Sequence, residues 1–364
     1  MFDLIGHLKN LSEAHGPSGH EGAIRDLLRQ TWAGFVDEFD EDRLGSLIGI
    51  KRGAAAHQPA RRVMLAAHMD EIGMMVAEIR EGFILVHRIS GVDNRLMLAQ
   101  PVLVHGRETL PGVVAAKPPH LLAQTARQKY PSFDELVIDV GLSAGRVEAL
   151  VRPGDLITID APFVQLNGKR VSGKALDNRA SLAVLTLCLY ELSQRAHTWD
   201  VYAVATVQEE VGLRGAATAA YAIAPDLAIA LDVGFAQQPG VEADVALELG
   251  GGPGIGVGPN FHPQLVEKLR EAAQRIEIKL QDDILPGQTG TDAWAIQVAR
   301  EGIPTALLQI PLRNMHSPVE IADLRDIERC GRLLASFIAG LEDEFLSAIR
   351  WPQPNKTAPV GGAA

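Results

Sequence analysis

The chain has 364 residues, of which 47% are hydrophobic and 22% charged, and its formal net charge is −11. This composition is that of a globular protein, and the length suits two domains or one domain with a large insertion. The negative charge argues against nucleic acid and anionic membranes as partners, because both are bound by basic surfaces. The two cysteines, Cys188 and Cys330, lack the CxxC spacing of a zinc site and are expected to be buried thiols in a reducing compartment.

The amino-terminal segment does not resemble a signal peptide. It carries Asp3 early and alternates apolar with polar residues at helical spacing, without a basic start or a continuous apolar centre. No apolar run in the sequence approaches the roughly 20 residues needed to span a bilayer. We therefore expect a cytoplasmic protein that does not bind membranes.

The first part of the chain predicts two helices, a buried strand and a β-rich module. The helices are expected over residues 2–13 and 21–34, separated by a Gly/Pro turn in which Ser18 is a candidate helix N-cap. The buried strand follows at 62–67. Six short β-branched segments then lie between about 72 and 165, and their spacing predicts a small β-barrel or sandwich.

After residue 178 helices and strands alternate, which predicts an α/β sheet with helices on both faces. The β-rich module, residues 71–165, is therefore interpreted as an insertion in a discontinuous domain formed by 1–70 and 166–349, with a disordered tail at 350–364. Helices are expected at 179–195, 262–276, 291–302 and 323–349, and strands at 201–207, 227–233 and 304–310.

Charged side chains lie where the apolar strands end, although buried strands rarely end in charge. Ligands of open α/β sheets bind outside the carboxyl ends of the strands, so these side chains are expected to converge at one edge. The candidates are His68 and Asp70 after the first strand, Asp177 at a helix start, Glu209 and Glu210 after a second strand, Asp232 at the end of a third, and His316 after a fourth.

Carboxylates gathered at one edge with two imidazoles predict a metal site, because they would repel one another unless a cation lay among them. Oxygen and imidazole ligands without a thiolate suit Zn²⁺ or Co²⁺, with Mn²⁺ a third option. Five ligand groups fit two metals that share one carboxylate and a water better than a single open zinc site. Taken singly, Asp177 could be a helix N-cap and Asp232 could bind loop amides, so the prediction depends on the whole set.

Five segments in this order resemble the tetrahedral aminopeptidases, a family that also includes glutamyl aminopeptidases and endoglucanase M-like proteins: AAHMDEIG, GKALDNRAS, VQEEVGLRGA, LDVG and MHSPVE. The resemblance covers roughly residues 5–345. It implies a three-layer α/β/α catalytic domain of the zinc-exopeptidase type with an inserted, barrel-like all-β domain that mediates dimer contacts. It also implies peptide substrates with a free N-terminus and a hollow tetrahedral dodecamer.

The resemblance further implies a reaction and a role for each candidate residue. N-terminal residues would be hydrolysed from peptides by a water held between two divalent metals. His68 and Asp232 would hold one metal, Glu210 and His316 the other, Asp177 would bridge them, Glu209 would be the general base, and Asp70 would orient His68.

Two nearby positions are not expected to act on the metals. Glu71 is interpreted as a bystander at the junction with the β insertion. Asn314 stands where the family usually has an aromatic residue before the last histidine. This departure puts details of the substrate pocket in question, and the preferred N-terminal residue stays open.

Three other functions stay open at this point. A two-metal deacylase or carboxypeptidase has the same types of ligand, but its first motif usually continues as HxDxVP and its insertion is mixed α/β. A glycoside hydrolase would need two carboxylates and no metal, and 4 Trp and 4 Tyr offer little for a sugar-binding groove. A non-catalytic scaffold is disfavoured because all five ligands and Glu209 are present.

Overall fold

The computed structural model describes residues 2–54, 60–124, 128–242, 245–342 and 344–349, so the predicted tail at 350–364 lies outside the described residues. The α-helices in these ranges are α1 (Leu4–Glu13), α2 (Gly22–Trp32), α3 (Asn94–Met97), α4 (Ala144–Leu150), α5 (Leu176–Leu192), α6 (Arg214–Ile223), α7 (Pro263–Arg275), α8 (Asp292–Ile296), α9 (Leu324–Ala339) and α10 (Phe345–Ala348).

The strands of the same ranges form two sheets and a closed barrel. They are β1 (Glu38–Glu41), β2 (Leu47–Lys51), β3 (Arg62–His68), β4 (Gly73–Arg80), β5 (Phe83–Ile89), β6 (Pro101–His105), β7 (Thr109–Ala116), β8 (Leu136–Asp139), β9 (Leu156–Ile159), β10 (Val164–Gln165), β11 (Arg170–Gly173), β12 (Asp200–Thr206), β13 (Leu227–Phe235), β14 (Gly254–Val257), β15 (Gln281–Ile284), β16 (Thr305–Leu312) and β17 (Glu320–Asp323).

The central sheet has the strand order β1-β2-β12-β3-β13-β16-β14-β15. Its middle strands β12, β3, β13 and β16 run parallel, so their carboxyl ends lie at one edge. These strands are apolar and almost fully buried, as expected for parallel strands covered on both faces. This arrangement brings the residues that follow the strands together in space.

Helices cover the central sheet and complete the three-layer α/β/α arrangement, which confirms the predicted fold class. Helix α5 packs against α1 and α9 and against strands β3 and β13, while α6 and α8 pack together on β12 and β13. Nearly every side chain of α5 is buried, because the helix lies between the sheet and other helices. Cys188 and Cys330 are buried and free, as predicted.

The insertion contains a closed barrel with the strand order β4-β5-β8-β7-β6-β9, confirming the predicted barrel. All six segments predicted as strands between about 72 and 165 are barrel strands. The barrel has its own apolar core, in which Met74, Val86, Val104, Ile138 and Ile157 are buried. The second sheet has three strands, β10, β11 and β17, of which β10 and β11 follow the last barrel strand in the chain.

Several predicted boundaries are wrong. The helix predicted over 323–349 ends at Ala339, and the one predicted over 291–302 ends at Ile296. Helix α6 was not predicted. Strands β1, β2, β10, β11, β14, β15 and β17 were not predicted either, because each is only two to five residues long and depends on pairing with other segments. Within the described ranges, no helix combines the length and apolarity required to cross a membrane.

Candidate metal centre

The predicted metal ligands meet at the carboxyl edge of the central sheet. They reach this edge from strands β3 and β13, from the turn after β12, from the first turn of α5 and from the loop after β16. One cavity of about 530 Å³ is lined by all five of them and by Glu209: His68, Asp177, Glu209, Glu210, Asp232 and His316.

Asp177 lies between the two histidines. Its Oδ1 atom is 3.2 Å from His68 Nε2, and its Oδ2 atom is 3.3 Å from His316 Nε2. Asp177 belongs to α5 but has non-helical dihedral angles, and the peptide bond that follows it is cis. Both carboxylate oxygens face imidazole nitrogens and neither accepts a backbone N–H group among the described residues, so the alternative interpretation of Asp177 as a helix N-cap is wrong.

Three further carboxylates surround the two histidines. Glu210 Oε1 lies 3.4 Å from His316 Nε2, and Asp232 Oδ1 lies 3.9 Å from His68 Nε2. Glu209 Oε2 lies 3.8 Å from the same His68 nitrogen. The ligand atoms fall into three overlapping groups, each within 4.8 Å: His68 with Glu209 and Glu210, His68 with Asp177 and Asp232, and Asp177 with Glu210 and His316.

Asp70 contacts His68 on the side of the imidazole ring that is opposite the other candidate ligands. Its Oδ1 atom is 3.3 Å from His68 Nδ1, on the ring edge opposite the cavity, and the same carboxylate accepts the backbone N–H groups of Glu209 and Glu210. Ser18 donates to Asp70 Oδ2 over 2.6 Å, so its interpretation as an N-cap is wrong. Helix α2 instead begins after Glu21, which forms no side-chain cap.

Glu320 is a buried residue that the sequence analysis missed. Its two carboxylate oxygens accept the backbone N–H groups of Asp177 and His316, over 3.0 and 2.8 Å. His316 has a φ of 60°, a left-handed conformation that is uncommon for a residue with a side chain. By accepting both hydrogen bonds, Glu320 fixes the backbone of Asp177 and of His316 at once.

The end of barrel strand β5 also contributes to the site. Ser90 donates to Glu210 Oε2 over 2.7 Å. Gly91 permits the close approach of His316, since a Cβ atom at Gly91 would lie 2.2 Å from His316 Nδ1. The SG pair at 90–91 is the only sequence signal for these contacts, and it is too common to have identified them.

Burial and charge shift the pKa values of the cluster. Burial, together with the neighbouring carboxylates, raises the pKa of Glu209 to about 10 and that of Asp232 well above its usual value. Against the effect of burial, hydrogen bonds to the histidines lower the pKa of Asp177. Burial alone would lower an imidazole pKa, but the facing carboxylates raise that of His316 to about 11 and also raise that of His68.

This set of donors fits divalent cations. Imidazole nitrogens and carboxylate oxygens are present without a thiolate, which favours Zn²⁺, Co²⁺ or Mn²⁺ over softer metals. In the part of the cavity that the structure describes, no lysine or arginine lines the wall. Cations among these buried carboxylates would offset their mutual repulsion.

Glu71 lies at the junction with the barrel and is not among the residues that line the cavity, as predicted, but it is not a bystander in the fold. Its carboxylate is fully buried, lies 2.7 Å from Lys174 Nζ and accepts the backbone N–H of Gly16 over 2.8 Å. Arg179 Nη2 lies 4.0 Å away. Glu71 therefore connects the segment before the barrel to the loop after α1, through Gly16, and to the residue after β11, Lys174.

Asn314 does not line the cavity. Its side chain is exposed, and its amide donates to Val319 O within the loop after β16. Its φ is 55°, a left-handed conformation that asparagine tolerates better than most residues. The substitution of the usual aromatic residue therefore concerns the loop and not the wall of the cavity.

Comparison with known proteins assigns the family. Residues 45–333 match the M42 glutamyl aminopeptidases, a span that includes the barrel and every candidate ligand. The chain belongs to this family. The family resemblance inferred from the motifs is therefore confirmed, and with it an aminopeptidase function that depends on metal.

Members of the family and related structures match along most of the chain. A lysyl aminopeptidase from Pyrococcus furiosus is 39% identical over 347 residues, covering 92% of this chain and 96% of the relative. A TET aminopeptidase from a marine sediment Thaumarchaeota archaeon superimposes with a TM-score of 0.90 at 33% identity, covering 95% of this chain and 99% of that chain. The TET1 peptidase of Pyrococcus horikoshii can assemble into a tetrahedron or a large octahedral shell. It superimposes with a TM-score of 0.83 at 31% identity, covering 93% of this chain and 100% of that chain.

Proposed function

We propose that this M42 family member is a dinuclear metallo-aminopeptidase that removes N-terminal residues from peptides. The observation that carries the proposal is the position of Asp177, whose two oxygens each face a different histidine. A carboxylate with one oxygen toward each of two ligand groups suits a bridge between two ions. A single ion would leave one of the two histidines without a role.

The two ions would be held by the residues that the family resemblance implies. His68 and Asp232 would bind one, Glu210 and His316 the other, and Asp177 both. Zn²⁺ and Co²⁺ suit these ligands, and Mn²⁺ is a third option. When bound, such ions lower the pKa of a water molecule toward about 7 and polarise a substrate carbonyl.

Glu209 is proposed as the general base. Its carboxylate lines the cavity beside His68 and makes no ion pair with lysine or arginine among the described residues. Burial and the neighbouring carboxylates raise its pKa, which favours retention of a proton that it has accepted. Cations bound among these carboxylates would lower that pKa, so that the ionised carboxylate is available to accept a proton. Glu209 would take a proton from the attacking water and deliver it to the leaving amine.

The acidic cavity explains why an exopeptidase is favoured over an endopeptidase. A free α-amine is the group that distinguishes a substrate N-terminus from the interior of a chain. The cavity wall presents carboxylates and no lysine or arginine within the described residues, so it complements a positively charged N-terminus. An N-acylated substrate would lack this charge and is expected to be a poor substrate.

We also propose that the chain self-associates through its barrel into dimers and a tetrahedral dodecamer. The support is the family, the closed barrel and the likeness to TET peptidases. Light scattering is expected to give about twelve times the 39.1 kDa of one chain. A monomer would contradict the assembly without affecting the metal centre.

The test of the mechanism combines turnover with metal analysis. Glu209→Gln should keep close to two ions per chain after dialysis but lose about 100- to 10,000-fold in turnover of an aminoacyl-p-nitroanilide. Glu108→Gln, at an exposed position of the barrel, is the matched control. Unchanged turnover would disprove the role of the base, and a wild-type protein that binds only one ion would disprove the dinuclear site.

Substrate and chelator experiments separate the alternatives. Activity on aminoacyl-p-nitroanilides, without activity on N-acyl amino acids, is expected and would exclude the two-metal deacylase. Loss of activity with a chelator and recovery with Zn²⁺ or Co²⁺ would exclude a metal-free glycoside hydrolase. The opposite result in either experiment would contradict the proposal.

A further inference from the structure

The cavity of the metal centre extends along the sheet edge to a second pair of polar side chains. Asp283 in β15 and Gln309 in β16 line the same cavity as the candidate ligands. Gln309 is paired in register with Asp232 on the neighbouring strand β13. Gln309 therefore lies one strand away from Asp232, and Asp283 lies three strands away.

Glycines on the intervening strand bring Asp283 and Gln309 together. Strand β14 separates β15 from β16, and it places Gly256 opposite Asp283 and Gly254 opposite Gln309. Residues two apart on a strand share a face, so both glycines lie on the face that carries the two polar side chains. Both side chains therefore lie on the same face of the sheet, across the two glycines, and both line the cavity.

Acceptor atoms at this position exceed the available donors. The Gln309 amide nitrogen lies 3.4 Å from Val233 O, while its buried Oε1 atom has no hydrogen-bond partner. Gln309 is 96% buried and Asp283 is 91% buried, and neither forms an ion pair with a described lysine or arginine. A buried acceptor without a donor is costly, and a buried carboxylate without a cation is more so.

We propose that Asp283 and Gln309 bind the side chain of the substrate's N-terminal residue and select lysine or arginine. The inference rests on the proposed aminopeptidase function and names the substrate class of the same site. A lysine ammonium or arginine guanidinium carries only donors and a positive charge, so it complements the Asp283 carboxylate at the wall of the cavity. A glutamate side chain would face a carboxylate and is rejected.

The distance from the metal centre favours a long side chain. Asp283 lies three strands from Asp232, roughly 14 Å by the usual strand spacing, so a short side chain bound at the metals would not reach it. Phe235, Val245 and Ile284 line the cavity as well. Their apolar surfaces suit the methylene stem of lysine or arginine while the charged end contacts Asp283.

The experiment compares lysine with norleucine, which has the same length and no charge. In the metal-loaded wild type, kcat/KM for the lysyl p-nitroanilide should exceed that for the norleucyl and glutamyl substrates. Asp283→Asn should lower the ratio of the lysyl to the norleucyl kcat/KM by about 10- to 100-fold. Cleavage of the norleucyl substrate by this variant shows that it folds. Asp283→Lys should gain activity on the glutamyl substrate.

The neighbouring residue provides the matched control. Asp282 is exposed, pairs with Arg270 over 2.7 Å and does not line the cavity, so Asp282→Asn should change neither value. An equal loss on both substrates in Asp283→Asn, or a wild-type preference for norleucine or glutamate over lysine, would overturn the inference and leave the aminopeptidase function standing.

Binding measurements separate failure of the inference from failure of the function. Calorimetry of L-lysine and L-norleucine with the metal-loaded protein should show tighter binding of lysine, and Asp283→Asn should abolish the difference. If no aminoacyl substrate is cleaved, the proposed function fails, and selective binding of lysine would still support the inference. Equal binding of the two amino acids would contradict it.

Discussion

The carboxylate of Asp70 accepts a hydrogen bond from the backbone N–H of Glu209 over 3.0 Å. The family resemblance implies one role for Asp70, to orient His68. The structure shows that the same carboxylate also holds the turn that carries Glu209 and Glu210. Asp70 therefore positions His68 at the end of β3 and the turn after β12, and it is not among the residues that line the cavity.

Replacing Asp70 should weaken the metal centre. Asp70→Ala removes the partner of His68 and the acceptor of two backbone N–H groups, so we expect about a 10- to 100-fold loss of metal affinity. Titration of the stripped protein with Zn²⁺ measures this loss. Asp70→Asn keeps one acceptor oxygen and should lose less, whereas identical affinities for wild type and Asp70→Ala would exclude the positioning role.

Replacing Glu320 should affect the site although the residue does not line it. Glutamine offers only one carbonyl oxygen, so Glu320→Gln can accept only one of the backbone N–H groups of Asp177 and His316. We expect a loss of metal affinity comparable to that for Asp70, together with a fall in kcat. Glu328→Gln, on an exposed position of α9, is the control and should behave as the wild type.

The buried Glu71–Lys174 pair should matter for stability. Glu71→Ala leaves the positive charges of Lys174 and Arg179 buried without their nearest carboxylate, which should cost about 3–5 kcal/mol of the free energy of unfolding. Urea unfolding of the metal-free protein measures this loss of stability. The exposed Glu78–Arg80 pair is the comparison, and Glu78→Ala should cost no more than about 1 kcal/mol. Equal losses would contradict the structural role of Glu71.

His7 should make stability depend on pH. Burial lowers the pKa of His7 from 6.5 to about 4 in the folded protein. The unfolded chain therefore binds a proton between pH 6.5 and 4 that the folded chain does not. The contribution of neutral His7 to the free energy of unfolding is complete above pH 6.5 and is lost as the pH falls. Between pH 7 and 5 the loss should be about 2 kcal/mol.

Urea unfolding of wild type and His7→Gln at both pH values tests this expectation. His7 Nε2 lies 3.0 Å from Thr186 Oγ1, and a glutamine amide can replace that hydrogen bond without titrating. The variant should lose about 2 kcal/mol less than the wild type on acidification. His87→Gln, at an exposed barrel position, is the control. An identical pH dependence in wild type and His7→Gln would contradict the assignment.

Local patterns in the sequence predicted much of the fold. Six barrel strands and four parallel strands of the central sheet were predicted. Each is a β-branched or apolar run bounded by glycine, proline or a charged residue, so it can be recognised from its own stretch of sequence. The candidate ligands were found for the same reason. A charged residue directly after a buried strand is conspicuous, and the parallel order of the strands brings such residues to one edge.

The tertiary structure decided which polar residues support the site and which strands complete the sheet. Glu71 and Glu320 look like ordinary surface carboxylates in the sequence, but each is buried against a segment more than 50 residues away. Likewise, Asp283 faces Gln309 only because the glycines of β14 lie between them. The sequence by itself determined the elements and the candidate ligands, since those signals are local. The contacts that hold and extend the site are long-range pairings, which no window of sequence contains.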